Sequence, residues 1–247
     1  MIARLDVKGE NVIKGIHLEG LRKIGNPNDL ARRYYQDGID EIIYMDVVAS
    51  LYGRNNILDI VRETARDIFV PLTVGGGMRS LEDITDALRA GADKVAINTA
   101  AISRPEFLRE ASLAFGSQCI VLSIEAKSEA PGQWTALTDN GREHTGVDVL
   151  DWVRGAEALG IGEVLLTSVD QEGTQSGFDE RLVAAVRDVV QVPVIASGGA
   201  GEPAHVASLY GETGCDAVAC AALLHYEKTS VSGLKRHLDG ENITVRL

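Results

Sequence analysis

Aromatic side chains are scarce in this 247-residue chain: 5% of its residues are Phe, Trp or Tyr, although 45% are hydrophobic. The apolar content is therefore aliphatic, as in parallel strands buried on both faces by helices. Basic residues are also few. Lys and Arg number 24 against 36 Asp and Glu, a formal net charge of −12, which argues against nucleic acid or an anionic membrane surface as a partner. A small anionic substrate is not excluded, because it needs only a local cluster of donors. Cysteine is limited to Cys119, Cys215 and Cys220. An odd count on apolar stretches reads as buried, reduced thiols in a cytosolic protein. No apolar run approaches the ~18 residues that would suggest a membrane span, and the chain opens without a basic-then-apolar leader. A cytoplasmic protein without membrane contact is the expectation. His17, His144, His205, His225 and His237 show no ligand spacing with Cys or carboxylates, so no metal site is expected; His225 is expected to pack or cap near the last strand. The stretch GGAG at 198–201 has no acidic residue ~20 positions on at a strand end, as a dinucleotide fingerprint requires. No cofactor is expected.

What is present is alternation. Short aliphatic runs predict strands near Ile2–Val7, Glu41–Asp46, Val70–Val74, Lys94–Asn98, Ile120–Glu125, Glu163–Ser168, Val192–Ser197 and Ala217–Ala221. Between them, apolar residues at helical spacing predict helices over Pro27–Asp37, Asn55–Asp67, Ser80–Ala90, Arg104–Phe115, Val147–Leu159, Asp179–Val189, Pro203–Glu212 and Ser230–Leu238. Eight strand–helix units in a chain of this length point to an α/β fold, a (β/α)8 TIM barrel, with parallel strands and right-handed crossovers. One interruption, SEAPGQWTALTDNG over Ser128–Gly141, carries Pro-Gly and Asn-Gly turn signals around an alternating run and reads as a β-hairpin insertion after the fifth strand.

The chain also repeats itself at half its length. DGIDEIIYMD resembles LGIGEVLLTSVD, with Glu41 and Glu163 122 residues apart; VPLTVGGG matches VPVIASGG, with Gly76 and Gly198 again 122 apart. AGADKVAINTAA matches TGCDAVACAALL, with Asp93 and Asp216 123 apart. Such a period makes each half a four-stranded half-barrel, about 1–119 and 120–247, within one domain spanning 1–247, and sets paired positions opposite each other across the axis.

Strand ends of such a barrel converge on its C-terminal face, where substrates bind. Two kinds of group recur there. The first is bare backbone: Gly75, Gly76 and Gly77 after strand three, Asn98 and Thr99 after strand four, Gly198, Gly199 and Gly201 after strand seven, Ala221 and Ala222 after strand eight. Small residues at helix N-termini leave N–H groups free for an anion. Because the loop pair occurs twice, it predicts two phosphate sites at opposite edges and an elongated bisphosphate between them. The second is a carboxylate pair, Asp6 and Glu125, ending strands one and five and therefore facing each other, the arrangement that general acid–base chemistry on a pinned substrate needs. Asp46 and Asp170, ending strands two and six, are candidate orienting groups, and Glu172, Thr167 and Ser168 belong to the same rim.

The segments LDVK, VIKG, VGGG, GADKVAINTAA, FGSQ, GIGEVLLTS, GTQSGFD and VPVIASGGAG, in this order over essentially the whole chain, resemble the HisF-type cyclase subunit of imidazole glycerol phosphate synthase. The resemblance implies an ammonia-dependent reaction of histidine biosynthesis. A bisphosphorylated ribulosyl aminoimidazole carboxamide substrate would give imidazole glycerol phosphate and aminoimidazole carboxamide ribotide. Ammonia would come from a glutaminase docked on the N-terminal face of the barrel. It assigns acid–base work to Asp6, a mobile-loop role to Lys14, phosphate binding to Gly77, Asn98, Thr99, Gly199 and Ala221, and a charged ammonia gate to Glu41, Lys94 and Glu163.

Three departures accompany it. Glu125 and Glu172 stand where the family pattern has Asp, and the family's gating arginine would align one residue before Met1. The two glutamates, with IHLEGLRKIGNP and MDVVASLYGRNN, resemble instead a paralogous branch thought to use glutaminase-derived ammonia to build an acetamidino group on surface-polysaccharide sugars. A third reading is a non-catalytic scaffold that activates the glutaminase, which the retained Asp6, Lys14, Asn98 and Thr99 disfavour.

Overall fold

The computed structural model describes residues 1–49 and 57–247. In chain order the elements are β1 (Ile2–Lys8), β2 (Asn11–Ile16), β3 (Glu19–Gly25), α1 (Pro27–Gln36), β4 (Glu41–Asp46), α2 (Ile57–Asp67), β5 (Leu72–Gly75), α3 (Leu81–Ala90), β6 (Lys94–Ile97), α4 (Thr99–Ser103) and α5 (Glu106–Phe115). The second half continues with β7 (Ile120–Ala130), β8 (Gln133–Thr138), β9 (Glu143–Asp148), α6 (Val149–Ala158), β10 (Glu163–Ser168), α7 (Glu180–Arg187), β11 (Val194–Ser197), α8 (Pro203–Thr213), β12 (Ala217–Cys220), α9 (Ala222–His225) and α10 (Val231–Gly240). The first two residues of the helix expected over 55–67, and all of SLYGRNN, lie outside the described residues.

Eight parallel strands close on themselves in the order β1, β4, β5, β6, β7, β10, β11, β12, with β7 paired to β10 and β12 to β1. The expected barrel is therefore observed. Its strands are aliphatic on both faces because each face meets a core. Outward side chains such as Leu5, Ile42, Tyr44, Val95, Leu122 and Leu166 pack under the helices, while Ile2, Ile43, Met45, Ala96, Val121, Leu165, Ile195 and Ala219 fill the lumen. Helix starts follow from local chemistry: Asn26 accepts from the N–H groups of Asn28 and Asp29, Ser80 and Asp83 form a reciprocal capping box, and Asp148, Asp179 and Ser230 cap the helices that follow them.

The repeat is visible in hydrogen bonding. Asp93 accepts from the Leu72 N–H at 2.8 Å, and Asp216 accepts from the Val194 N–H at 2.9 Å, the same bond 122–123 residues later. Likewise the N–H of Ile42 donates to Pro71 and that of Val164 to Pro193.

Two antiparallel excursions rise above the mouth. The expected hairpin after the fifth strand is larger than 128–141: β7 itself runs on to Ala130, β8 returns along it, and β9 adds a third strand up to Asp148, so the helix expected from Val147 begins at Val149. The second, β2–β3, carries no sequence expectation. Its turn is made by His17 and Leu18 at φ 51° and 64°, residues that give no hairpin signal of the Asn-Gly kind, and β3 is largely exposed, with no apolar alternation. No helix among the described residues is long and apolar enough to cross a membrane.

Candidate active site

Alternation along β1 puts Ile2, Arg4 and Asp6 on the lumenal face, with Asp6 uppermost. Its carboxylate is buried and accepts from Arg4 Nε at 2.9 Å, with Lys14 Nζ of β2 at 4.0 Å. Burial alone would raise the Asp6 pKa, but the charges of Arg4 and Lys14 outweigh it and hold the carboxyl below its usual range. Lys14 is itself buried and ion-paired with Glu172. Burial draws its ammonium down to about 8 against the pull of Asp6.

Across the mouth, Glu125 of β7 is also buried. Its Oε2 accepts from the Gly141 N–H at 2.7 Å and from Asn98 Nδ2 at 3.2 Å. Here burial wins, pushing the carboxyl up to about 7. Two neighbouring carboxylates thus have environments that drive their ionisation apart, which is how an acid and a base are assigned at one pH.

The glycine loops form two cavities on opposite sides of this pair. One, of about 100 Å³, is bounded by Gly76, Gly77, Asn98, Thr99, Arg79 and Glu125. The other, of about 10 Å³, is bounded by Gly198, Gly199, Ala221, Ala222, Lys14 and Glu172. Glycine is required at both: Gly76 at φ 89° and Gly199 at φ 108° are left-handed, and a Cβ on them would overlap the carbonyl oxygens of Asp46 and Gly177. The short helices α4 and α9 begin at these cavities, right after Asn98 and Ala221.

Thr167 and Ser197 lie just below, accepting from Arg4 Nη1 at 2.7 and 3.2 Å. Asp46 borders the first cavity and accepts from the Val48 N–H; burial raises its pKa. Ser168 is buried beside Thr167, and Thr99 accepts from the Asp139 N–H at 3.2 Å. Asp170 borders neither cavity. Its carboxylate is paired with Lys127 and accepts from the Ser128 N–H at 2.8 Å, which ties the β7–β8 excursion to the barrel rim.

Glu41, Lys94 and Glu163 start β4, β6 and β10 and so sit at the opposite end of the barrel. Lys94 bridges the two glutamates, at 3.2 Å to Glu41 and 2.6 Å to Glu163. His225 packs beside the last strand as expected, bonded through Nδ1 to the Tyr34 hydroxyl at 2.7 Å; burial lowers its pKa to about 4, so it is neutral. Cys215 and Cys220 are buried free thiols, while Cys119 is half-buried.

Comparison with known proteins now decides the family. Residues 1–230 match the profile described as histidine biosynthesis protein. The chain is 61% identical over 202 residues to the imidazole glycerol phosphate synthase subunit HisF of Legionella pneumophila, covering 82% of this chain and 95% of that protein. To the HisF subunit of Mycobacteroides abscessus it is 49% identical, over 100% of this chain and 98% of that protein. The chain belongs to the HisF family of histidine biosynthesis proteins. Within that family frame, Arg4 is the residue that sequence reading passed over. A signal was present: it interrupts the aliphatic run IARLDV two positions before Asp6, on the same face.

Proposed function

We propose that this chain is the cyclase subunit of an imidazole glycerol phosphate synthase. With ammonia from a partner glutaminase, it converts a bisphosphorylated ribulosyl aminoimidazole carboxamide substrate to imidazole glycerol phosphate and aminoimidazole carboxamide ribotide. The observation that carries this reading is the pair of small-residue cavities on opposite edges of the mouth, with Asp6 and Glu125 between them. One phosphate would take the N–H groups around Gly76, Gly77, Asn98 and Thr99, and the other those around Gly198, Gly199, Ala221 and Ala222. Lys14 would exchange its ion pair with Glu172 for the second phosphate, a charge-assisted contact. The centre of the substrate then lies between an ionised Asp6, suited to accept a proton, and Glu125, whose carboxyl at about 7 suits it to donate one.

The partner would dock at the N-terminal end, where Lys94 with Glu41 and Glu163 forms a charged gate and Phe69, 76% exposed, stands edge-on to Tyr35 just before β5. An exposed aromatic of this kind suits a protein interface. The test is direct: supply an ammonium salt and the bisphosphate, and follow loss of substrate absorbance together with formation of both products. Turnover supports the reading, and its absence in the native chain overturns it.

The greater reach of Glu125 and Glu172 over the family's aspartates favours a second reading, glutaminase-fed amidination of a sugar substrate. Turnover of the histidine-pathway bisphosphate that appears only in Glu125→Asp would favour that alternative.

A further inference from the structure

Arg4 is 2% exposed in the middle of the barrel. From β1 its side chain crosses the lumen past β12 to reach Ser197 of β11 at 3.2 Å and Thr167 of β10 at 2.7 Å, while its Nε holds Asp6 at 2.9 Å. The lumen around it is filled largely by apolar side chains, Ile43, Val121, Leu165 and Ile195 among them. Its upper side borders the cavity that also contains Glu125. A guanidinium buried this way is costly unless it is paired and hydrogen-bonded, and here Nε and Nη1 find their partners among groups of the mouth rather than at the opposite end of the barrel.

We infer that Arg4 is a positioning residue of the acid–base pair: its guanidinium, pinned through Nη1 to Thr167 and Ser197, orients the Asp6 carboxylate through Nε and balances its charge from beneath the mouth. The catalytic consequence rests on the acid–base reading given above; the contact does not. The charged and titratable groups facing Asp6 are Arg4 on its own strand, Lys14 on β2, Glu125 on β7 and His225 after β12, with Glu172 engaged by Lys14. Glu125 faces Arg4, Asp6 and Asp139. Lys14, at 4.0 Å, is too far to fix the orientation of the carboxylate, and His225 is neutral. Arg4 is thus the cation in hydrogen-bond contact with Asp6, and its planar fork supplies a geometry that a lysine ammonium does not.

The test is a carboxyl ¹³C NMR titration of the full chain, with the Asp6 resonance assigned by its loss in Asp6→Asn. In Arg4→Gln the Asp6 acid dissociation constant should fall about tenfold or more, and the whole pH profile of ammonium-driven kcat/KM should move to higher pH, because Glu125 loses the same neighbour. Arg4→Lys, which keeps the charge and loses the fork, should hold the profile in place while kcat falls about tenfold or more. An Asp6 titration unchanged in Arg4→Gln overturns the inference, and so does an Arg4→Lys variant with native kcat. If Arg4→Gln does not fold, Arg4→Lys alone decides. The NMR arm stands even if the native chain does not turn over the bisphosphate, an outcome that removes the proposed function instead.

Discussion

Replacing Glu125 with Gln separates what this residue does for the reaction from what it does to stability. Burial raises its carboxyl from 4.5 to about 7. Folding therefore favours the protonated form, and ionising the group in the folded protein is unfavourable. The penalty is absent below the unfolded-state value, grows as pH rises between 4.5 and about 7, and is complete above that. At 1.36 kcal/mol per pKa unit the full penalty is ~3 kcal/mol, of which ~2 kcal/mol falls between pH 5 and pH 8. Glutamine does not titrate but keeps an oxygen for the Gly141 N–H. Urea unfolding of both proteins at pH 5, 6, 7 and 8 reads the effect by difference, so that other titrating groups cancel. The variant should gain on the native chain by ~2 kcal/mol across this range, while ammonium-driven turnover falls about 10²- to 10⁴-fold. A native-to-variant stability difference that is flat from pH 5 to pH 8 would refute the reasoning, because Glu125 would then already be ionised without cost at pH 5.

Two further outcomes follow from the geometry. Gly199→Ala puts a Cβ into the Gly177 carbonyl at a left-handed φ, so denaturant unfolding should show a loss of about 2 kcal/mol or more, and KM for the bisphosphate should rise. Lys94→Glu sets three carboxylates together at the gate in place of the Glu41–Lys94–Glu163 bridge; in the complex with the glutaminase, glutamine-driven turnover should fall while ammonium-driven turnover holds, and equal use of both nitrogen sources would count against the gate.

The barrel was legible because its signal is periodic and repeated: eight aliphatic runs, with three matches at nearly one half-length offset, survive errors at any one boundary. The two small-residue cavities of the mouth were legible for the same reason, since Gly76 and Gly198 announce the same turn twice. What escaped has physical causes. The β2–β3 hairpin turns on His17 and Leu18, whose left-handed backbone is held by tertiary contacts, including the His17 N–H bond to the Glu172 carbonyl. Asp170, expected at the substrate, is taken by Lys127 and the Ser128 N–H, a competition set by where the β7–β8 excursion folds back. Arg4 escaped because a single charge within an aliphatic strand is read against propensity, whereas two of its partners, Thr167 and Ser197, lie more than 160 residues away.

The central claim is that the two loop pairs hold the two ends of one bisphosphate across Asp6 and Glu125. The structure of the chain crystallised with that bisphosphate tests it most directly. The account predicts one phosphate against Gly76, Gly77, Asn98 and Thr99, the other against Gly198, Gly199, Ala221 and Ala222, and the reacting centre within hydrogen-bond reach of both carboxylates. A ligand seated at one loop pair only, with its second phosphate in solvent, would contradict it.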